Sequence, residues 1–200
     1  MPETGERWRN RLPHWEVAAR AHFVTIRCAG SLPESALQAI KEIQTNLANI
    51  DPATPEFARL QRQYFLSCEK YLDDPASESF APFRNTAVAD LVLNDLKTLD
   101  TRAGWLVQTA TIMPNHVHFL LSTETGEAAK PLREVIRALK GRTARQANQL
   151  LERTGPFWQR EWFDRWMRDE HEVTRTTHYI RQNPVKAGFV ERAEDWRWQI

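Results

Sequence analysis

The chain has 200 residues, a formal net charge of +1 at pH 7, and 42% hydrophobic and 26% charged residues. Such a composition is typical of a globular protein with a buried core, and the length suits a single domain over residues 1–200. No apolar run is long enough for a membrane span, and the start has no apolar leader, so we expect a cytoplasmic protein. The two cysteines form no CxxC pair, which argues against a disulfide scaffold or a cysteine-rich zinc site.

The first half of the chain predicts one strand followed by helices. Residues 22–28 alternate in polarity and are rich in β-branched and aromatic residues, as in a strand. Apolar residues three or four apart predict helices over residues 33–50 and 56–74. We interpret these two helices as an inserted hairpin, a helical elaboration at about 34–74, whose role the sequence does not indicate. A third helix is predicted over residues 86–100.

The second half predicts a strand hairpin, a helix, a strand and a final helix. Strands over 105–112 and 116–122 are joined by a tight turn containing Pro and Asn. A helix follows over 131–151. Residues 157–169 fit a strand or a helix, and we favour a strand. The last helix is predicted to stop at Pro184.

This order of elements predicts an α+β fold of the ferredoxin-like or RRM-like kind. The expected architecture is an antiparallel sheet with helices on one face, plus the inserted helical segment. Charge is uneven along the chain, because residues 1–100 carry 11 basic and 14 acidic residues, and residues 101–200 carry 16 and 12. The mild basic excess of the second half permits a polyanionic partner without requiring one.

His116 and His118 are the first candidates for chemistry. Residues two apart in a strand point to the same face, so the two imidazoles project together. They could hold one divalent ion, since imidazole suits Mn, Zn, Fe or Co and, with added oxygen ligands, Mg. Isolated His-x-His patterns are more often core residues, so the spacing alone leaves both interpretations open.

Tyr179 and Asn183 are the second candidates, because residues four apart share a helix face. A tyrosine hydroxyl can attack a strongly electrophilic group such as a metal-bound phosphodiester. The side-chain carbonyl of Asn183 could supply a third, oxygen ligand to the ion. Taken alone, packing is the better explanation of Tyr179, and capping before Pro184 is the better explanation of Asn183.

A basic helix face is the candidate surface for phosphates. It consists of Arg133, Arg137, Lys140 and Arg142, and a solvated helix face is the alternative interpretation. We expect the remaining candidates for a metal or acidic role to be structural. These are His14, His22, His171, His178 and Asp164.

Four motifs carry a resemblance to a known family. They are "HFVTIRCAGSLP", "MPNHVHFLL", "GPFWQREWFDRWMRDEHE" and "HYIRQNPVKAGFVERAEDW". From about residue 22 onward the sequence resembles the IS200-like tyrosine transposases, and most closely the REP-associated tyrosine transposases. The long segment between the first strand and Trp105 departs from the simplest members of that family.

The resemblance implies a role for each candidate residue. His116, Val117 and His118 match the metal-binding HUH motif, Tyr179 the single catalytic tyrosine, and Asn183 the residue that completes the ligands of the ion. Related enzymes use Mg²⁺ or Mn²⁺ to cleave single-stranded DNA. The tyrosine forms a 5′-phosphotyrosine and frees a 3′-OH, which can later reverse the step on another strand.

The resulting hypothesis is a metal-dependent single-stranded DNA endonuclease and strand transferase. By the resemblance its partners are REP palindromes folded as hairpins, with a nucleoid-associated location and either a monomeric or a homodimeric state. A short link to the last helix favours a tyrosine that acts within its own chain. The alternatives are a non-catalytic nucleic-acid-binding module of the same fold, and a metal phosphoesterase that uses water as the nucleophile.

Overall fold

The computed structural model describes residues 4–9, 12–51, 54–74, 80–123 and 129–200. Within these residues the strands are β1 (Thr4–Arg9), β2 (Pro13–Val17), β3 (His22–Arg27), β4 (Trp105–Met113), β5 (His116–Thr123) and β6 (Phe163–Trp166). The helices are α1 (Glu34–Asn49), α2 (Pro55–Leu72), α3 (Thr86–Leu96), α4 (Leu99–Ala103), α5 (Leu132–Leu150) and α6 (Glu170–Lys186). Short 3₁₀ turns lie at Pro82–Arg84 and Ala193–Asp195.

The central feature is a four-stranded antiparallel sheet with strand order β4-β5-β3-β6. The two middle strands are β5 and β3, and the helical segments cross between strands that are not neighbours. This arrangement confirms the predicted α+β class of ferredoxin-like kind. The turn between β4 and β5 also lies where Pro114 and Asn115 predict it.

The two faces of the sheet bury different residues. Val117, Phe119 and Leu121 of β5 point into the main core, which α3 and α5 cover. His116, His118 and Leu120 alternate with them and point to the opposite face. There α6 packs with Ile180 against Leu120. Helices α3 and α5 therefore cover one face, as predicted, and α6 and α2 additionally cover part of the other face.

The predicted helical hairpin is formed by α1 and α2, which have an apolar core of their own. Its buried residues are Leu12, Leu32, Ala36, Ile40, Ile43, Leu47, Phe57, Leu60, Tyr64, Cys68 and Leu72. Thr54 caps α2 by accepting a hydrogen bond from the Phe57 amide at 3.2 Å. The hairpin contacts the sheet through side chains of α2, including Phe65 and Glu69, on the sheet face that carries His118.

The strand pair β1 and β2 is a feature that the sequence analysis missed. It is fastened to the sheet through His14, whose Nδ1 is hydrogen-bonded to the buried carboxylate of Asp164 on β6. The His14 ring also stacks on Trp162, with 4.4 Å between ring centroids. Burial lowers the pKa of His14, but the charge and hydrogen bond of Asp164 outweigh it and raise that pKa to about 9. His14 and Asp164 are thus a structural pair.

Two predicted boundaries are wrong. The last helix does not stop at Pro184 but runs to Lys186, because packing of the buried Pro184 outweighs the lost amide donor and the close approach to the carbonyl of residue 180. Within residues 157–169 only Phe163–Trp166 pair as a strand. The residues before Phe163 form only one isolated β-bridge, between Trp158 and Cys28. They pack through the buried aromatic rings of Phe157, Trp158 and Trp162 and do not form a continuous strand pairing.

The His14 pair makes stability depend on pH in a defined direction. The folded protein raises the pKa of His14 from 6.5 to about 9, so its contribution is complete below pH 6.5 and disappears as the pH rises through 9. We expect the free energy of unfolding in urea to fall by roughly 3 kcal/mol across this window. His14→Gln should remove this pH dependence, whereas exposed His171→Gln should keep it. A wild-type protein equally stable at both ends would contradict the prediction.

Candidate active site and metal centre

His116 and His118 form the centre of the candidate site on β5. Both side chains are fully buried, and their Nε2 atoms lie 3.0 Å apart. The Nδ1 of His116 contacts Asn115 Oδ1 at 2.7 Å, and the Nδ1 of His118 contacts Thr25 Oγ1 at 2.8 Å. Because each Nδ1 is held by an oxygen, each Nε2 is directed at one shared point, as in histidines that bind metals.

A carboxylate from the inserted hairpin meets the histidines at this point. Glu69 of α2 is 3% exposed, and its Oε2 lies 3.1 Å from His118 Nε2. One ligand atom from each of Glu69, His116 and His118 lies within 4.8 Å of the others. The sequence analysis missed Glu69.

Tyr179 and Asn183 come to the same place from α6. The Tyr179 hydroxyl donates a short hydrogen bond to Oε2 of Glu69. Asn183 is fully buried, and its Nδ2 donates to the Tyr179 hydroxyl at 3.3 Å. The structure thus brings together all four residues for which the sequence predicts catalytic or metal-binding roles.

A second acid, Asp73, extends the cluster one helical turn beyond Glu69. Its Oδ1 lies 3.8 Å from His116 Nε2, and its Oδ2 accepts from Lys186 Nζ at 3.2 Å. Three buried oxygens at the site have no hydrogen-bond partner within the part of the chain that the structure describes: Oε1 of Glu69, Oδ1 of Asp73 and Oδ1 of Asn183. Such unsatisfied buried acceptors are costly unless a cation or donor occupies the space between them.

The electrostatics keep the carboxylate charged and the hydroxyl protonated. Burial opposes ionisation of Glu69, yet the charge and hydrogen bond of His118 hold its pKa at about 2. Burial, with the neighbouring His118, lowers the pKa of His116 to about 3, so this imidazole is neutral. Burial and the Glu69 charge raise the pKa of Tyr179 far above its usual value. The tyrosine therefore needs an acceptor for its proton, and Glu69 is in contact with it.

This donor set fits a divalent cation. Two imidazole nitrogens and one carboxylate oxygen suit Mn, Fe, Co or Zn, and the further oxygens of Asp73 and Asn183 make the set acceptable to harder ions. A buried group of two histidines with one acid could therefore bind a metal. The identity of the ion does not follow from these residues alone.

The predicted basic face lies elsewhere. The helix that carries it, α5, packs on the Val117 face of the sheet, opposite to His116 and His118. Arg142 forms two hydrogen bonds to Asp95, and Lys140 donates to the carbonyls of residues 159 and 160. Arg133 is half-buried and Arg137 is exposed. The structure does not bring these four residues to the candidate site, and their role in DNA binding stays a prediction.

The other histidines lie away from the site, as expected. His22 contacts the Arg20 carbonyl and the Val17 amide on the opposite face of the sheet, and His171 and His178 are exposed. A signal for the missed acids was present in the sequence. Phe65, Glu69 and Asp73 are spaced by four in a predicted amphipathic helix, beside its main apolar stripe.

Parts of the chain are similar in sequence to known proteins. Residues 82–183 match the family model described as "Transposase IS200 like". A Haemophilus influenzae protein provisionally named a REP-associated tyrosine transposase is 31% identical over 94 residues. That match covers 42% of this chain and 52% of the relative, so the chain spans about half the relative's length.

A solved structure supports the fold. It is the structure of a REP-associated tyrosine transposase bound to a REP hairpin, with a TM-score of 0.53 and 13% sequence identity. The match covers 98% of this chain and 82% of that one. At this identity it shows a shared fold. Among the described residues, none of the helices has the length and hydropathy needed to cross a bilayer.

Removal of the Glu69 charge tests the metal centre directly. We expect Glu69→Gln to weaken Mn²⁺ binding at least about tenfold, because an anionic oxygen is lost from the cluster. Glu56→Gln on the same helix, where the carboxylate is 61% exposed, is the matched control and should bind like wild type. Mn²⁺ titration followed by electron paramagnetic resonance gives the affinity without any activity measurement. Equal affinity in both variants would exclude Glu69 as a ligand.

Proposed function

Since this chain belongs to the family of IS200-like transposases, we propose that it is a metal-dependent single-stranded DNA endonuclease and strand transferase with Tyr179 as its nucleophile. The observation that carries the proposal is the contact of Tyr179 with the metal-binding cluster. Its hydroxyl donates to the same Glu69 oxygen that lies 3.1 Å from His118 Nε2. A nucleophile and a candidate cation site thus share one atom, which packing alone would not require.

In the proposed reaction the Tyr179 oxygen attacks a backbone phosphorus. The bond from phosphorus to the 3′ oxygen breaks, leaving a 5′-phosphotyrosine on the protein and a free 3′-OH on the released strand. The hydrogen bond to Glu69 orients the Tyr179 hydroxyl, and the tyrosine proton passes through this contact to solvent as the new bond forms. The leaving 3′ oxygen takes up a proton from solvent water, so the step is balanced and reversible. The free 3′-OH of another strand can then attack the phosphotyrosine and restore a phosphodiester.

We propose that His116, His118 and Glu69 hold the cation, with Asn183 nearby as an additional oxygen ligand. A bound Mg²⁺ or Mn²⁺ would supply polarisation of the phosphoryl oxygen and neutralise charge in the transition state. Asn183 also positions the nucleophile, since its Nδ2 donates to the Tyr179 hydroxyl at 3.3 Å. Thr25 and Asn115 fix the orientation of the two imidazole rings through hydrogen bonds to their Nδ1 atoms.

The proposed substrate is a DNA hairpin of the REP type with adjoining single strand. The structural neighbour of the same fold is a transposase bound to such a hairpin, and the Haemophilus influenzae relative carries the corresponding name. Tyr179 reaches His118 of its own chain, with 5.6 Å between the ring centroids. This supports a tyrosine that acts in cis, and hence an active site that a monomer can complete.

The covalent step gives a direct test. Wild-type protein incubated with a labelled hairpin oligonucleotide and Mn²⁺ should produce a labelled protein band on a denaturing gel. Tyr179→Phe should abolish the band, because the attacking oxygen is absent, and should keep DNA affinity within about twofold. Tyr71→Phe, on the inserted hairpin, is the matched control and should form the adduct normally.

Three other outcomes would contradict the proposal. Cleavage without an adduct, retained in Tyr179→Phe, would show a phosphoesterase that uses water. Hairpin binding without cleavage under Mg²⁺, Mn²⁺, Co²⁺ or Zn²⁺ would show a non-catalytic binding module. An adduct in Tyr179→Phe would assign the nucleophile to another residue.

A further inference from the structure

We infer that the groove between the inserted hairpin and α6 is the channel for the single strand that leads to Tyr179. This inference rests on the proposed function, because it says how a strand reaches the proposed nucleophile. The groove has a volume of about 1370 Å³. Its walls are α2 and the end of α1 on one side and the start of α6 on the other, with β6 and residues of β2 between them. Tyr179 is one of its lining residues.

Arginines give the groove the charge that a phosphate backbone needs. Arg62, Arg168 and Arg175 line it and are exposed, and none of them pairs with a carboxylate among the described residues. A fourth, Arg165, is bonded to Glu172 at 3.0 Å, so both of these charges are compensated. Two further acids line the groove: Asp164, which is buried against His14, and Asp51, which is exposed just after the end of α1. The three unpaired guanidinium groups remain as sites for phosphates.

Aromatic rings in the same groove supply surfaces for bases. Phe65 and Phe163 lie 4.9 Å apart between ring centroids, and Phe65 lies 5.8 Å from Tyr179. Trp15 and Trp166 form a second pair at 6.1 Å. The rings of Phe65, Phe163, Trp15 and Trp166 all line the groove and are only partly buried. Proteins that bind single-stranded nucleic acid combine a positively charged groove with aromatic rings on which the bases stack.

The position of Arg175 connects the groove to the chemistry. Arg175 and Tyr179 are four residues apart on α6, so they share a face with roughly 6 Å between their Cβ atoms. That distance is close to the spacing of successive phosphates along a strand. A strand with one phosphate at Tyr179 therefore places the next within reach of the Arg175 guanidinium.

The groove differs from the basic face predicted from the sequence. That face is on α5, across the sheet from Tyr179, and two of its cations are engaged in intramolecular bonds. A strand bound there would have to pass around the sheet to reach the nucleophile. The channel needs no such path, because the nucleophile lines it.

The test measures single-strand affinity in a Tyr179→Phe background without divalent ions. Fluorescence anisotropy follows an unstructured, labelled oligonucleotide of about 12 nucleotides, a length within the usual site sizes. We expect the triple variant Arg62→Ala/Arg168→Ala/Arg175→Ala to bind more than tenfold more weakly. The slope of log affinity against log salt should flatten by about two, since each lost phosphate contact removes about 0.7.

Matched single variants make the result specific to the groove. Arg175→Ala should weaken binding, whereas Arg181→Ala should not, because Arg181 is an exposed arginine of the same helix that does not line the groove. Arg137→Ala on α5 should also be without effect. Unchanged binding in the triple variant, or a loss in Arg137→Ala alone, would overturn the channel and favour the α5 face.

The channel and the proposed reaction fail separately. If wild-type protein forms the adduct and the triple variant binds normally, the proposed nuclease activity is supported and the channel is rejected. If the triple variant loses binding but wild-type protein forms no adduct, the channel is supported and the proposed nuclease activity is rejected.

Discussion

The arrangement of the site depends on one buried carboxylate, that of Glu69. It contacts His118 on the sheet and Tyr179 on the last helix, and it comes from a helix that belongs to neither. A charge with 3% exposure is stable only with close partners, so the contacts that satisfy Glu69 also fix three segments relative to one another. The inserted hairpin is thereby joined to the candidate site, although it has an apolar core of its own.

The sheet supplies the precision of the site through its two-residue alternation. The side chains of β5 that face α3 and α5 are buried and apolar, and they anchor a strand whose other side carries His116 and His118. Because rotation of either ring would break its hydrogen bond to Asn115 or Thr25, each ring has one orientation. Rigid packing on one face thus sets the geometry of the chemistry on the other.

Local patterns predicted the sheet, the helices and the four residues at His116, His118, Tyr179 and Asn183. Periodicity reports what each segment buries, and the family motifs are continuous in sequence. Glu69 was not predicted, because its spacing with Phe65 and Asp73 shows only that they share a helix face, whereas its role follows from a contact between distant segments. The end of α6 was misplaced for a simpler reason: Pro184 is a strong local signal that packing in the last helical turn overrides.

The stretch that matches the IS200-like family is residues 82–183, so the acids at positions 69 and 73 lie outside it. Two proteins grouped by that stretch can share both histidines, the tyrosine and the asparagine while drawing the remaining anionic group from unrelated sequence. The hardness of the ligand set, and with it the preferred ion, is then free to diverge between relatives whose signature motifs are identical. For this chain, the proposed ligand set draws on α2 of the insertion as well as on the stretch that matches the family.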